Sequence, residues 1–381
     1  MPLSLRVTFL VNGGPDSAAD IRASGFARWL GGDVQCRLLR RGPHKLSSVR
    51  AFLDDLAGWR PNLVYVMGMA YSGALAALLA RLRWRLPYVL DTGDLVYQLL
   101  RSRGGVSEPL LLAYRLLEEL TVRGARAVVV RGSLHRDLLL AQGLERVALL
   151  SDGVDTEQSR PVAAEELRAS LGLADRFTVG LLGSLVWSPR HRFCYGWDLV
   201  ESLAHLRDLP VHGLVIGDGD GMARLQRRAE ELAVADRLLF FGHVAYADVP
   251  RYLSLMDVCL STQSNDLVGQ ARTTGKLPEY LACRRYVIAT DVGEAHTLLR
   301  EVGSLLPYEG VRDDSYPPRL AAHIRWLFEH PMELSRAAGG PELARQRLDY
   351  RVLAPKLRDL LLDVTAPGTR DPGLRTQDRA R

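Results

Sequence analysis

The chain has 381 residues, 47% of them hydrophobic and 24% charged, with a formal net charge of +5. That length accommodates two domains, each with its own core, and its basic residues are scattered, without the stripe and interleaved aromatics that nucleic acid demands. Cys36, Cys194, Cys259 and Cys283 lie far apart and form no Cys-x-x-Cys pair, so the sequence predicts buried thiols in a reduced, cytoplasmic setting and no structural zinc.

The opening "LRVTFLV" is too short for a signal-peptide core and runs into Gly13. "RVTFLV" (6–11) predicts a buried strand, followed by a glycine turn and a helix through Arg28. "NLVYVMG", "PYVLD" (87–91) and "RAVVVRG" (126–132) read the same way, and Val49, Phe52, Leu53 and Leu56 line one helix face between them. The most apolar helix candidate, "GALAALLARLRWRL", is interrupted by Arg81, Arg83 and Arg85, so no segment spans a membrane. These arginines, with Arg101 and Arg103, leave weak peripheral contact with the inner face of an anionic membrane as a minor option beside a solvated helix face.

The alternation stops between Asp152 and Arg176, where "SDGVD" and Pro161 mark a linker. It restarts with "FTVGLLG" (177–183), "VHGLVIG" (211–217), "RLLFFG" (237–242), "DVCLS" (257–261) and "RYVIAT" (285–290). Two such sets predict an α/β protein of two doubly wound domains facing a cleft, with ligands at the carboxyl ends of the strands. The expected boundaries are 1–155 and 156–350, with a disordered tail from Pro367.

Four loops carry candidate chemistry. In "NGGPD", Gly13 and Gly14 would let backbone amides approach an anion, although a plain tight turn explains them equally well. "VIGDGDGM" fails the dinucleotide pattern, because Met222 stands at its sixth position, and reads as a turn. After the first strand of the second domain, Gly183 and Ser184 permit close backbone approach, and Arg190 and Arg192 could pair with phosphate oxygens. "GQARTTGKLPEYLA" looks like a Walker loop but has one residue too many between its glycines and Leu277 after its lysine. There the amides of Thr274, Gly275 and Lys276 would leave a helix start where a diphosphate is favoured, and Glu279, one turn on, could accept from ribose hydroxyls.

The run from "VGLLGSL" through "GWDLVESLAHL", "LVIGDGD", "RLLFFGHV" and "KLPEYLACRRYVIATDVGEA" resembles the donor half of a family 4 glycosyltransferase of the GT-B fold, and "LLSDGVD" is similar to that family's domain junction. The resemblance reaches to about residue 363 and is strongest in the second domain; "LDYRVLAPKLRDLL" is similar to the family's closing helix, which implies a helix over 351–366 that packs back on the first domain. It implies two Rossmann-like domains, a nucleoside diphosphate sugar as donor, retaining transfer of a hexose-type sugar to a glycan, lipid or natural-product acceptor, and no required metal or other cofactor. It places donor contacts on Gly13, Gly14, Gly183, Ser184, Arg192, His243, Val244, Thr274, Gly275, Leu277 and Glu279, and chemistry on Lys276, Arg190 and Asp94.

Departures from the family pattern are as informative. The second Glu of its paired-glutamate motif falls on Glu279, but the first falls on Ala271, which moves that sugar contact elsewhere, to Asp266 or Gln270, or removes it. Tyr195 occupies a lysine position, leaving the phosphates to Arg190, Arg192 or Lys276. "DTGD" stands where a histidine is common, with Asp91 and Asp94 as the nearest polar groups. An epimerase or hydrolase of the same fold, and a nucleotide-sugar-binding subunit of weakened activity, are the competing readings.

Overall fold

The computed structural model describes residues 4–366; the tail expected from Pro367 lies outside the described residues. The chain forms two compact units, one from residues 4–101, 106–153 and 350–366, the other from 102–105 and 154–349.

In the first unit β1 (Leu5–Val11), β2 (Val34–Arg40), β3 (Leu63–Met67), β4 (Tyr88–Thr92), β5 (Ala127–Val130) and β6 (Val147–Leu149) form one sheet, ordered β2-β1-β3-β4-β5-β6. Every neighbouring pair is parallel. The crossovers carry α1 (Ala18–Trp29), α2 (Lys45–Trp59), α3 (Tyr71–Trp84), α4 (Val96–Arg103), α5 (Glu108–Gly124) and α6 (Ser133–Ala141). Because helices cover both faces, the central strands are apolar at successive positions rather than alternate ones. Val7, Phe9 and Val11 pack with Phe26 of α1, while Leu10 packs on the opposite face with Phe52 and Leu56 of α2.

In the second unit α7 (Glu165–Ser170) precedes β7 (Phe177–Leu182), and α8 (Trp197–Leu203), β8 (Val211–Ile216), α9 (Met222–Glu231), β9 (Leu238–Gly242) and α10 (Val249–Leu253) follow. Next come β10 (Val258–Ser261), α11 (Leu267–Ala271), α12 (Lys276–Ala282), β11 (Tyr286–Thr290), α13 (Ala295–Leu299), β12 (Gly303–Leu306), α14 (Tyr316–Glu329) and α15 (Gly340–Arg347). The sheet order is β12-β11-β10-β7-β8-β9, all parallel. The chain starts at β7, builds outward to β9, then returns to β10 on the other side. The gap above β7 and β10 is therefore the switch point, where loops diverge and leave room for a ligand.

The last helix, α16 (Tyr350–Thr365), belongs to the first unit. Tyr350, Leu353, Leu357 and Leu361 are buried with Val7 and Phe26. The Tyr350 ring meets Phe26 edge-on at 5.3 Å, and a Cβ on Gly25 would lie 2.3 Å from it.

Candidate functional site

The loops leaving β7 and β10 meet at the switch point of the second unit, and their packing explains the glycines around them. Gly183 donates its N–H to Ile216, and Leu185 donates to Asp218, which ties the loop after β7 to the loop after β8. Gly217 has φ +128, and a Cβ there would lie 1.9 Å from the Gly183 carbonyl oxygen. One on Gly219 would lie 2.4 Å from that of Leu185. The "GDGDG" run thus has a steric reason of its own: it lets one loop lie flat on another.

The loop after β10 is held from within. Gln263 donates its N–H to Thr290 Oγ1 and its Nε2 to Gly269 O and Arg272 O. Asp266 caps α11, accepting from the Gly269 N–H and from Ser264 Oγ. Gln270 donates to Asn265 Oδ1 and accepts from the Gly293 N–H. Both side chains suggested as substitutes for the missing glutamate are therefore engaged in building the loop, and Ala271 is 1% exposed. The loop ends at Thr274, whose hydroxyl lies 3.1 Å from Ser261 Oγ and whose carbonyl accepts from Leu277. Gly275 follows it, exposed, with α12 beginning at Lys276.

Lys276 reaches back across this junction. Its Nζ sits 3.6 Å from the centroid of the Tyr195 ring and would be 3.0 Å from a Cβ on Gly183. Tyr195 is fixed for this contact by its hydroxyl, which donates to Leu260 O at 2.7 Å. The ring face attracts the ammonium, but the side chain is half-buried and gives up solvent. Burial lowers the Lys276 pKa to about 7, Arg272 adds to the effect and Glu279 opposes it. Glu279 itself is 7% exposed, one turn along α12. Tyr195, at the family's lysine position, thus forms the platform on which a lysine from another element lies. Only three lysines occur in the chain, so a lysine here is a departure from its general use of arginine.

The other expected residues fall into separate groups. Leu277 is buried in the core with Tyr280 and Leu281. Ser184 is exposed beside Gly183; His243 is exposed after β9 and Val244 half-buried. Arg190 and Arg192 are exposed on a tight turn closed by hydrogen bonds between Ser188 and Phe193 and from Arg192 N to Ser188 O.

In the first unit, Gly13 has a packing reason: a Cβ would lie 2.1 Å from Oγ of Ser17, while Gly14 faces open space. Ser17 caps α1, accepting from Asp20 N. Asp91 is not a polar group free to meet an acceptor, and that expectation is corrected. It is fully buried, accepting from Arg22 Nε at 2.8 Å and from the Tyr65 hydroxyl at 2.7 Å, with Arg131 Nε 3.5 Å away. Burial alone would raise its pKa, but Arg22 and Arg131 hold it below the usual carboxylate range. Asp94 is half-buried at the end of β4, and its backbone carbonyl accepts from the Thr92 hydroxyl.

One group escaped the sequence reading. Asp198, in the first turn of α8, is 7% exposed; burial pushes its pKa to about 7, Arg312 opposes this, and Asp313, Glu201 and Asp314 add to it. Its only sequence signal is "YGWDL", where it resembles an ordinary helix-start carboxylate.

Residues 176–330 match the family described as glycosyl transferases group 1, and residues 3–153 match the glycosyl transferase 4-like domain. A GDP-mannose-dependent α-(1-6)-phosphatidylinositol monomannoside mannosyltransferase of Mycobacterium tuberculosis is 37% identical over 220 residues, 56% of this chain and 54% of that protein. A 2-deoxystreptamine glucosyltransferase of Streptomyces kanamyceticus is 24% identical over 184 residues, 46% of this chain and 45% of that protein. The chain spans about half the length of these curated relatives in the matched regions. Among solved structures, Anabaena HepE in complex with UDP and glucose superposes with a TM-score of 0.73 at 19% identity, covering 94% of this chain and 99% of that one. Sucrose-phosphate synthase from Thermosynechococcus elongatus gives 0.72 at 18%, covering 94% and 99%. These likenesses, with the two parallel sheets, establish the two-domain Rossmann-like GT-B fold.

Proposed function

The chain belongs to the family 4 glycosyltransferases of the GT-B fold, and from that premise we propose that it moves a hexose-type sugar, with retention, from a nucleoside diphosphate to a glycan, lipid or natural-product acceptor. The observation that carries the reading is Lys276 Nζ poised over Tyr195 and against Gly183 at the switch point. A cation there meets the charge that grows on a departing diphosphate. In this reading the amides of Thr274 and Gly275 share the phosphates, and Glu279 accepts from the ribose hydroxyls. Gly183, Ser184, His243 and Val244 contact the rest of the donor. Arg190 and Arg192 are the alternative cations, and the first unit offers Gly13, Gly14 and Asp94.

The name of the mycobacterial relative makes GDP-mannose the first donor to try, with UDP-glucose second after the HepE complex. Calorimetry across nucleotide sugars should find one that binds in the micromolar to millimolar range, unaffected by a chelator. If no nucleotide or nucleotide sugar binds, the reading fails. A Glu279→Gln variant should lose about 1.5–3 kcal/mol of donor binding if it anchors ribose. A helix-start carboxylate without that role would cost only about 0.3–1 kcal/mol of stability. Ala271, with Asp266 and Gln270 already engaged, favours a second reading, a donor-binding subunit with weak turnover. Donor binding without transfer or hydrolysis would select it.

A further inference from the structure

The edge of the second sheet carries a basic pocket that the donor reading does not use. Its volume is about 250 Å³, and its polar walls are Arg300 at the end of α13, Ser304 of β12, His323 of α14 and Arg336 from the 3-10 segment Pro331–Gly339. Among the described residues no carboxylate lines it. β12 is the edge strand and stands two strands from β10, so this pocket is separate from the switch point above β7 and β10.

The polar walls are held in place by the fold. Arg336 donates its Nε to Glu301 O at 3.2 Å and its Nη2 to Arg300 O at 3.0 Å, which lays the guanidinium across the end of α13. Glu333 is only loosely paired with it, 4.0 Å from Nη1. Arg300 is exposed and has no ion pair or side-chain hydrogen bond among the described residues. His323 stacks on Trp326 at 5.5 Å, and Trp326 on His330 at 5.1 Å, so one face of α14 fixes the imidazole. Its Nε2 is shut off from solvent without a hydrogen-bond partner among the described residues, although buried polar atoms are nearly always paired. Burial, then Arg336, lowers the His323 pKa, so the ring is neutral at pH 7 and can carry its proton on Nε2. Two guanidiniums, a hydroxyl and a desolvated ring nitrogen around one space are the donors that phosphate oxygens take. The volume is below the roughly 300–1,000 Å³ of pockets for drug-sized ligands, which suits a small anion. We propose that this pocket binds a phosphoryl dianion, either free phosphate or the end of a small phosphate ester. This inference rests on the second unit alone and holds whether or not a sugar is transferred.

The test is calorimetric titration of the full chain with inorganic phosphate and with glycerol phosphate, at constant ionic strength and neutral pH. The expected result is saturable millimolar binding of phosphate, weakened at least tenfold in Arg300→Gln with the melting temperature unchanged. Glycerol phosphate binding as tightly as phosphate assigns the pocket to an ester, and its exclusion assigns the pocket to the free ion. In the protein with isotope-labelled histidines, phosphate should shift one imidazole resonance, and that resonance should be missing in His323→Gln. A donor cradle would also attract phosphate, so binding of the same affinity must persist in Lys276→Ala. No phosphate binding, equal affinity in Arg300→Gln and wild type, loss of all binding in Lys276→Ala, or an equal response to chloride overturns the proposal. So does a shifted resonance that survives His323→Gln, because the anion would then sit elsewhere.

Discussion

A lysine can lose its proton within the physiological range when it is desolvated, and an arginine cannot. That difference gives Lys276 a pH signature. With its pKa lowered to about 7 by burial, Lys276 is already charged below pH 7. Above pH 7 a diphosphate must draw a proton onto it, so donor affinity should fall by up to tenfold per pH unit. Calorimetry at pH 8 in buffers of different ionisation enthalpy should show uptake of about one proton, absent in Lys276→Ala. That variant should also lower kcat by about 100-fold, more than it weakens donor binding, because leaving-group charge peaks in the transition state. Full turnover in Lys276→Ala, with loss in Arg190→Ala or Arg192→Ala, would assign the cation to the other loop. Asp198 gives a test of opposite character. Its folded pKa of about 7 is raised from 3.8, so the folded state favours the protonated form; its stabilising effect is whole below pH 3.8 and is lost as pH rises through 7. Asp198→Asn should therefore stabilise the protein at pH 8 relative to pH 4, by an amount on the order of 2–4 kcal/mol, read from denaturant unfolding at both values.

Strands with strong apolar runs were legible in the sequence, and the three that it did not announce share a location. β2, β6 and β12 are all edge strands. β2 mixes charged and polar residues into "VQCRLLR", and β6 and β12 have 3 and 4 residues. An edge is covered on fewer sides and kept short or polar, so its signal is weak. The loop before α12 shows the same limit at the candidate site. The glycine and lysine were visible as a phosphate cradle, but the Tyr195 platform joins residues 81 positions apart through the sheet order, which local spacing does not encode. Its stiffness can be tested at Gly269, where a Cβ would lie 1.7 Å from the Ser264 carbonyl oxygen. Gly269→Ala should cost about 1–3 kcal/mol through forced rearrangement. Hydrogen exchange should quicken over residues 263–275, and donor affinity should drop while β10 and β11 keep their protection. Unchanged exchange in that loop would mean that the backbone there yields easily.

At the scale of the whole molecule, the first unit is assembled from both ends of the chain. Tyr350→Ala removes a ring wedged against Phe26 and Gly25 and should cost about 3–5 kcal/mol. Calorimetry should show this in the melting transition of the first unit, leaving that of the second, the one raised by nucleotide, in place. Equal lowering of both transitions would mean that the two units unfold as one. The return of α16 also has a consequence for biosynthesis. A ribosome delivers β6 roughly 200 residues before α16, which at about 5–20 residues per second is a wait of roughly 10–40 s. Throughout it the face formed by Val7, Phe9 and Phe26 lacks its cover, while residues 154–349 emerge as an uninterrupted stretch. The half begun first is therefore finished last, because one face of its sheet stays uncovered until α16 has followed residues 154–349 out of the ribosome.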